Sequence, residues 1–305
     1  MYDNGLLKYY RQNALGGFLD TTKIGLIKNT DMIISSVAKC SINDKSYYIK
    51  KHGLADNLYK PRADAEILLS QIYSKLGVPS TIYTPAQYNG EQFLVCDDVE
   101  RSNVMLASNY LASRFSLNKP RLMPFLSQGR VGANPHTFFT RNAMAEQTKM
   151  RILDTASYNT DRHMANFFYT LERDFKPEQE GTIGEQIVSY FRSFVPNRAT
   201  GVVAIDFESS GGNISVIADG GEPLNGYMND FQNALLTRQE MLNRIQNNEK
   251  LESVIDKQDF AEEIGSVNIP SIAEDIKETT GYEVDAKMVD ILSSSYDDMA
   301  ELLIK

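Results

Sequence analysis

Asn159-Thr160-Asp161-Arg162-His163-Met164-Ala165-Asn166-Phe167-Phe168 is the stretch around which the rest of this chain can be ordered. Its first half is rich in turn-favouring residues, and its apolar, aromatic end reads as a short strand. A second apolar run, Val203-Ala204-Ile205-Asp206-Phe207, follows downstream and closes on another Asp. A loop carrying Asp161 and Asn166, opening into one strand, beside a second strand ending at Asp206, would gather three oxygen-bearing side chains in one place. Taken singly, Asn159, Asp161 and Asn166 are ordinary turn and capping residues. Their spacing and the Ile205-Asp206-Phe207 sequel favour a shared site.

Phosphoryl transfer asks for such a set, because it needs positioned phosphates, a metal and an oriented nucleophile more than covalent chemistry. Mg²⁺ takes oxygen ligands from one or two protein groups, with phosphates and waters completing the shell. Asn166 and Asp206 are the expected metal ligands. Asp161 is then left to accept the proton of an attacking hydroxyl. His163 is open to three roles: orienting Asp161, touching phosphate, or stacking within the loop. With His52 and His136 the only other histidines, no His-rich metal site is available.

A triphosphate also needs a cation. Lys50 ends the alternating run Tyr48-Ile49-Lys50, and Lys51 stands beside it. Side chains alternate along a strand, so one of the two lysines faces a cleft; Lys50, after apolar Ile49, is the choice. Its expected partner is Glu66, on the next helix and on the side of Leu69 and Tyr73. As isolated residues both would read as surface charges. Upstream, no G-x-G-x-x-G occurs. Ser35-Ser36-Val37-Ala38-Lys39 is the candidate phosphate loop, with small residues for close approach, hydroxyls and N–H groups for phosphate, and Lys39 for charge. The Gly16-Gly17 pair reads as a turn. At Cys96-Asp97-Asp98-Val99 a connector between lobes would begin, placing Asp97 and Val99 against an adenine edge.

The surrounding chain fits two lobes. Ile33 to Cys40 and Ser46 to Lys50 flank Asn43-Asp44-Lys45, a hairpin signal. Residues 61–76 read as a helix, begun at Pro61 and ended at Gly77 and Pro79. Strands are expected near Ser80–Tyr83 and Gln92–Val99, parted by Pro85 and Asn89-Gly90. A helix over about 137–156, strands at 166–170 and 201–207, and helices from about 229 to 305 with a break at Ile269-Pro270 complete the reading. Glu172 to Thr200 is an insert with an amphipathic helix over Ile183–Phe194. The expected class is α+β: a β-rich N-lobe over 1–99, a mostly helical C-lobe over 100–305, and a ligand in the crevice between them.

Composition narrows the function classes. Hydrophobic residues at 42% and charged residues at 23% suit a soluble globular protein of 305 residues. No window approaches the ~18 apolar residues of a membrane span. The start, Met1 to Gly5, shows no signal-peptide pattern. Cys40 and Cys96 make neither a disulfide framework nor a zinc site, so a reducing cytoplasm is expected, with delivery elsewhere as an effector left open. The net charge of −9 argues against direct nucleic-acid binding. The acidic residues over 250–305 read as solvated helix faces.

Together these residues resemble the HipA-like kinases, a family close to the phosphatidylinositol-kinase-like and protein-kinase-like fold. Ser36-Val37-Ala38-Lys39 is similar to the family's Ser-Gly-x-x-x-Lys phosphate loop, with Ser35-Ser36 where Ser-Gly is usual. Tyr48-Ile49-Lys50 resembles its ATP-lysine strand. Residues 159–167 resemble its catalytic loop, whose Asp-Arg-His-x-x-Asn core is shared with lipid-kinase-like enzymes. Ile205-Asp206-Phe207 resembles its metal-binding segment. The resemblance covers about residues 30–305 and implies a serine/threonine protein kinase using ATP and Mg²⁺. It also implies a toxin of a toxin–antitoxin pair or an effector kinase, with an antitoxin-like protein partner. The chain departs from the family at Glu208 after Asp-Phe, in the insert after Glu172, and in being short for a full-length HipA toxin, so the family's extra N-terminal subdomain is expected to be missing. Two other readings stay open: a kinase for a small molecule or lipid headgroup, and a catalytically silent nucleotide-binding module.

Overall fold

The computed structural model describes residues 19–20, 37–42, 45–50, 60–88, 91–99, 103–110, 138–173, 197–219, 228–247 and 254–305. Two small sheets and a largely helical remainder make a mixed α/β molecule. The first sheet has the order β1-β4-β5-β3-β2: β1 is Leu19–Asp20, β2 Val37–Ile42, β3 Lys45–Lys50, β4 Tyr83–Tyr88 and β5 Glu91–Asp97. Its pairs are antiparallel except β1 with β4. The second sheet is antiparallel, in the order β6 (Val104–Leu106), β7 (Phe167–Leu171) and β8 (Ala199–Ala204). The strand expected near Ser80–Tyr83 starts only at Tyr83, and Pro85 lies inside β4 rather than parting two strands. Pro85 has no N–H to donate, and it precedes Ala86 and Gln87, the two residues that pair with β1; there β4 is an edge that tolerates proline. The Ile183–Phe194 helix falls outside the described residues.

Helix α1 (Lys60–Lys75) shows how local chemistry sets an element. Pro61 suits a first turn, where an N–H has no helical partner. At the other end Gly77 adopts φ 75°. Gly77 N–H then bonds the Ser74 carbonyl, and Val78 N–H the Tyr73 carbonyl, satisfying two end carbonyls at once. Ala63, Ala65, Ile67, Leu68, Leu69, Ile72 and Tyr73 are all buried, as are Asp64 and Glu66. A helix buried on so many sides must be wrapped, and α1 packs on the sheet through β4 and on helices α3 (Glu208–Ala218), α6 (Ile269–Thr280) and α7 (Ala286–Ile304). The approach to α3 is closest at Gly211, where a Cβ would stand 2.2 Å from the Pro61 carbonyl oxygen.

Buried Asp64 anchors the same helix to the C-terminal region. It accepts from Lys60 at 2.7 Å, from the Tyr282 hydroxyl at 2.6 Å and from the Asp285 N–H at 3.1 Å. The remaining helices are α2 (Arg141–Ala156), α4 (Met228–Gln246) and α5 (Lys257–Gly265). Side-chain oxygens of Thr140, Asp256, Asn268 and Asp285 cap α2, α5, α6 and α7. Pro270, read in the sequence as a break, stands in the first turn of α6. The two sheets meet where residues after α1 run beside the end of β8: Ala204 N–H bonds the Pro79 carbonyl at 2.8 Å, and Thr81 N–H the Ala204 carbonyl at 3.0 Å. No helix among the described residues is long and apolar enough to cross a membrane.

Candidate active site

Lys50 closes β3, where Ile49 points into the core and Lys50 to the opposite face. Its ammonium lies 2.6 Å from Glu66, 2.7 Å from Glu208 and 3.4 Å from Asp206. Those three carboxylates come from two separate parts of the chain, Glu66 on α1 and the Asp206–Glu208 segment that leads into α3, and their oxygens lie within 4.8 Å of one another. Burial disfavours charge on Lys50, but Glu66, Asp206 and Glu208 outweigh it and hold its pKa above the ordinary 10.5. Glu66 itself is fully buried and is fixed by α1. Glu208 stands in the first turn of α3, where a negative charge also complements the helix dipole.

The Asp161–Asn166 segment enters β7 through a tight hydrogen-bonded turn. The Asp161 carbonyl accepts the His163 N–H at 3.0 Å and the Asn166 side-chain amide at 2.8 Å. With its amide nitrogen so engaged, Asn166 turns its oxygen the other way. Asp161 is exposed, as a group receiving a proton from an incoming molecule must be. His163 is also exposed, and its Nδ1 accepts the Ala165 N–H at 3.1 Å, which orients the ring. Asn213, on α3, donates to the Tyr158 carbonyl at 2.7 Å and to the Thr160 hydroxyl at 3.3 Å, pinning the start of the loop.

Beneath this loop lies a buried polar network. Arg162 makes a two-pronged pair with Asp154 of α2, at 3.0 to 3.1 Å. Its other amine donates to the carbonyls of Asn166 at 2.5 Å and of Ile205. One guanidinium thus ties α2, the loop carrying Asp161 and Asn166, and the residue before Asp206. Asp154 also accepts from Tyr73 at 2.9 Å and Asn159 at 3.0 Å. Burial opposes charge on Arg162, but Asp154 more than offsets it and raises its pKa. Burial, then Asp154, pushes the Tyr73 phenol well above its ordinary 10.0.

Asp206 adopts the left-handed region, with φ 61°. That conformation is uncommon for any residue with a Cβ, and Asp and Asn tolerate it best. Its N–H donates to the Tyr83 hydroxyl at 3.4 Å. The Ile205 N–H bonds the Asn166 carbonyl at 3.2 Å, so the two expected metal-ligand segments run side by side. Phe207 is buried edge-on against Tyr73, with centroids 4.9 Å apart, and lies under the Arg162 guanidinium at 5.2 Å.

The structure therefore brings Lys50, Glu66 and Asp206 together, and joins Asp161, Asn166 and His163 in the neighbouring loop. Val99 lies in an apolar cluster with Val104, Phe168 and Val203, beside Leu106 and Ile205. Asp97 pairs with Tyr47 at the end of β5. The expected phosphate loop needs correction. Val37, Ala38 and Lys39 form the first half of β2, in register with Lys50, Ile49 and Tyr48, so their backbone belongs to a strand pair and not to a loop. Ser35 and Ser36 lie outside the described residues. Sequence reasoning noticed Glu208 only as a departure and gave Arg162, Asp154 and Tyr83 no role. A charged residue inside an otherwise apolar helix face, as Asp154 is beside Ile152 and Leu153, was the available signal for a buried partner.

No family model matches this chain, and no curated protein matches it. Among solved structures it is similar to the crystal structure of a Helicobacter pylori proinflammatory kinase, CtkA, with a TM-score of 0.48 and 12% identity, over 94% of this chain and 96% of that one. A likeness of that degree carries no argument about chemistry, which rests on the geometry above.

Proposed function

We propose that this chain is an ATP- and Mg²⁺-dependent kinase, built as an N-lobe over 1–99 and a C-lobe over 100–305, that phosphorylates serine or threonine on a protein. The observation that carries this reading is the convergence of Lys50, Glu66 and Asp206, beside a loop whose Asp161 is exposed and whose Asn166 runs against the strand leading to Asp206. The donor set suits the groups invoked. Carboxylate and amide oxygens are hard ligands of the kind Mg²⁺ takes, and no soft or imidazole ligand is among them. Leu106 and Ile205, partly exposed where they pack on the buried Val99 and Phe168, would offer a purine an uncharged surface.

In this reading Lys50, held by Glu66, binds the α- and β-phosphates. Asn166 and Asp206 would hold Mg²⁺, which would supply positive charge to offset that of the phosphates. Asp161 orients the acceptor hydroxyl and takes its proton, while His163 stands beside it at the mouth of the loop. Arg162 keeps the loop and the Asp206 segment in fixed register. An acceptor on a protein is supported by the exposure of Asp161 and by the motif resemblance; the toxin role and an antitoxin-like partner rest on that resemblance alone.

The test is transfer of labelled phosphate from MgATP to generic protein substrates, with inositol and sugars as competing acceptors. Asp161→Asn and Asp206→Asn should each lower transfer by roughly 100-fold or more while circular dichroism stays unchanged. Asn suits the left-handed backbone at position 206, so a loss there reports on the carboxylate. Undiminished transfer in both variants sinks the proposal, and label on inositol alone moves it to a lipid-headgroup kinase.

A further inference from the structure

We infer that Glu208 is a built-in competitor of the triphosphate for Lys50, so that release of the Lys50–Glu208 pair sets how tightly the site takes a nucleotide. The inference rests on the nucleotide-binding reading above and adds its regulation. An ammonium has three N–H donors and no acceptor. On Lys50 three carboxylates stand in reach of them, Glu66 at 2.6 Å, Glu208 at 2.7 Å and Asp206 at 3.4 Å. A phosphate oxygen arriving at Lys50 must therefore displace one of the three.

Their surroundings single out which one. The Glu66 side chain has no exposure, and expelling it from Lys50 would leave a carboxylate buried without its cation, the costliest outcome. Asp206, whose side chain is 35% exposed, stands farthest from Lys50, at 3.4 Å, so moving it away frees little of the ammonium. Glu208 has a longer side chain that is 28% exposed, on the first turn of a helix. Of the two carboxylates in close contact with Lys50, Glu208 is the one that can rotate into water at small cost. Three carboxylates facing one ammonium also make the centre of the site negative, which repels a triphosphate until that charge is relieved. A divalent cation would relieve it, and Glu208 freed from Lys50 lies close enough to Asp206 to share one. Metal-free nucleotide has no such help and feels the full competition.

The plain alternative is that Glu208 serves only the dipole of its helix, in which case its charge has no bearing on nucleotide affinity. Calorimetric binding of ADP to the full chain, first in EDTA and then with MgCl₂, separates the two. Glu208→Gln should bind metal-free ADP roughly two- to fivefold more tightly than the parent, the scale of one partly exposed ion pair, and should narrow the ratio of affinities with and without Mg²⁺. Glu301→Gln removes the same charge from an exposed residue paired with Lys305, and should change neither. Equal or weaker metal-free binding by Glu208→Gln overturns the inference alone, as does an equal gain in Glu301→Gln. Failure of the parent chain to bind ADP in either condition removes the nucleotide reading and the inference with it.

Discussion

Helix α1 touches two ionic clusters of opposite character. Glu66 and Tyr73 are two turns apart on one face of it. Glu66 reaches the Lys50 cluster, where one cation meets three carboxylates and two of those are partly exposed. Tyr73 reaches the Asp154–Arg162 cluster, where one cation meets one carboxylate, both are buried, and further bonds come from Tyr73, Asn159 and two carbonyls. The first is unbalanced in charge and open to water; the second is balanced and closed. A balanced, saturated network has nothing left to offer a ligand and acts as a brace. An unbalanced one has charge left over, which a metal can take up. The same helix thus positions the reactive end and the rigid end together.

The largest break in that comparison should come from the brace. Asp154→Asn leaves the Arg162 guanidinium buried beside a neutral group, and should cost about 3–5 kcal/mol in chemical denaturation. Glu208→Gln, which removes one of three carboxylates from the open cluster, should shift stability by no more than about 0.5 kcal/mol. Similar losses from both would show that the two clusters do not differ as argued. Next in size is Gly211→Ala. A methyl group there meets the backbone at Pro61 and Arg62, so α3 must move off α1. A loss of about 1–3 kcal/mol in thermal or urea unfolding is expected; an unchanged midpoint would mean the contact is slack. A smaller loss is expected of Tyr73→Phe, which removes one of several donors to Asp154 and should cost about 1 kcal/mol. Because Arg162 still holds the loop, any kinase activity of that variant should survive, which a coupled stability and transfer assay would show.

Much of the site was legible one segment at a time. Strand alternation put Lys50 on the face away from Ile49, and helical periodicity put Glu66 on the face of Tyr73; those local rules were enough to suggest the pair. The same rules set Ile33 to Cys40 against Ser46 to Lys50 as a hairpin, which the pairing of β2 with β3 bears out from Val37 to Cys40, yet the small residues of Val37-Ala38-Lys39 also suited a phosphate loop. Pairing with β3 overrode that local preference, as context does for strands generally. Pro85 misled for the same reason, since its tolerance depends on which edge of β4 has a neighbour.

What the sequence determined by itself is therefore local: where α1 begins and ends, which residues can cap a helix, and that Asp161, Asn166 and Asp206 carry side-chain oxygens at loop and strand-end positions. Tertiary structure alone decided that Glu208 shares Lys50 with Glu66, that Arg162 turns inward to Asp154, and that Asp206 takes a left-handed backbone. Propensity and periodicity act over a few residues, whereas the partner of a charge is set by which distant segment the core packs beside it. Lys50 and Asp206, 156 positions apart, meet beside Glu66 of α1, and α1 packs closely on α3 at Pro61 and Gly211.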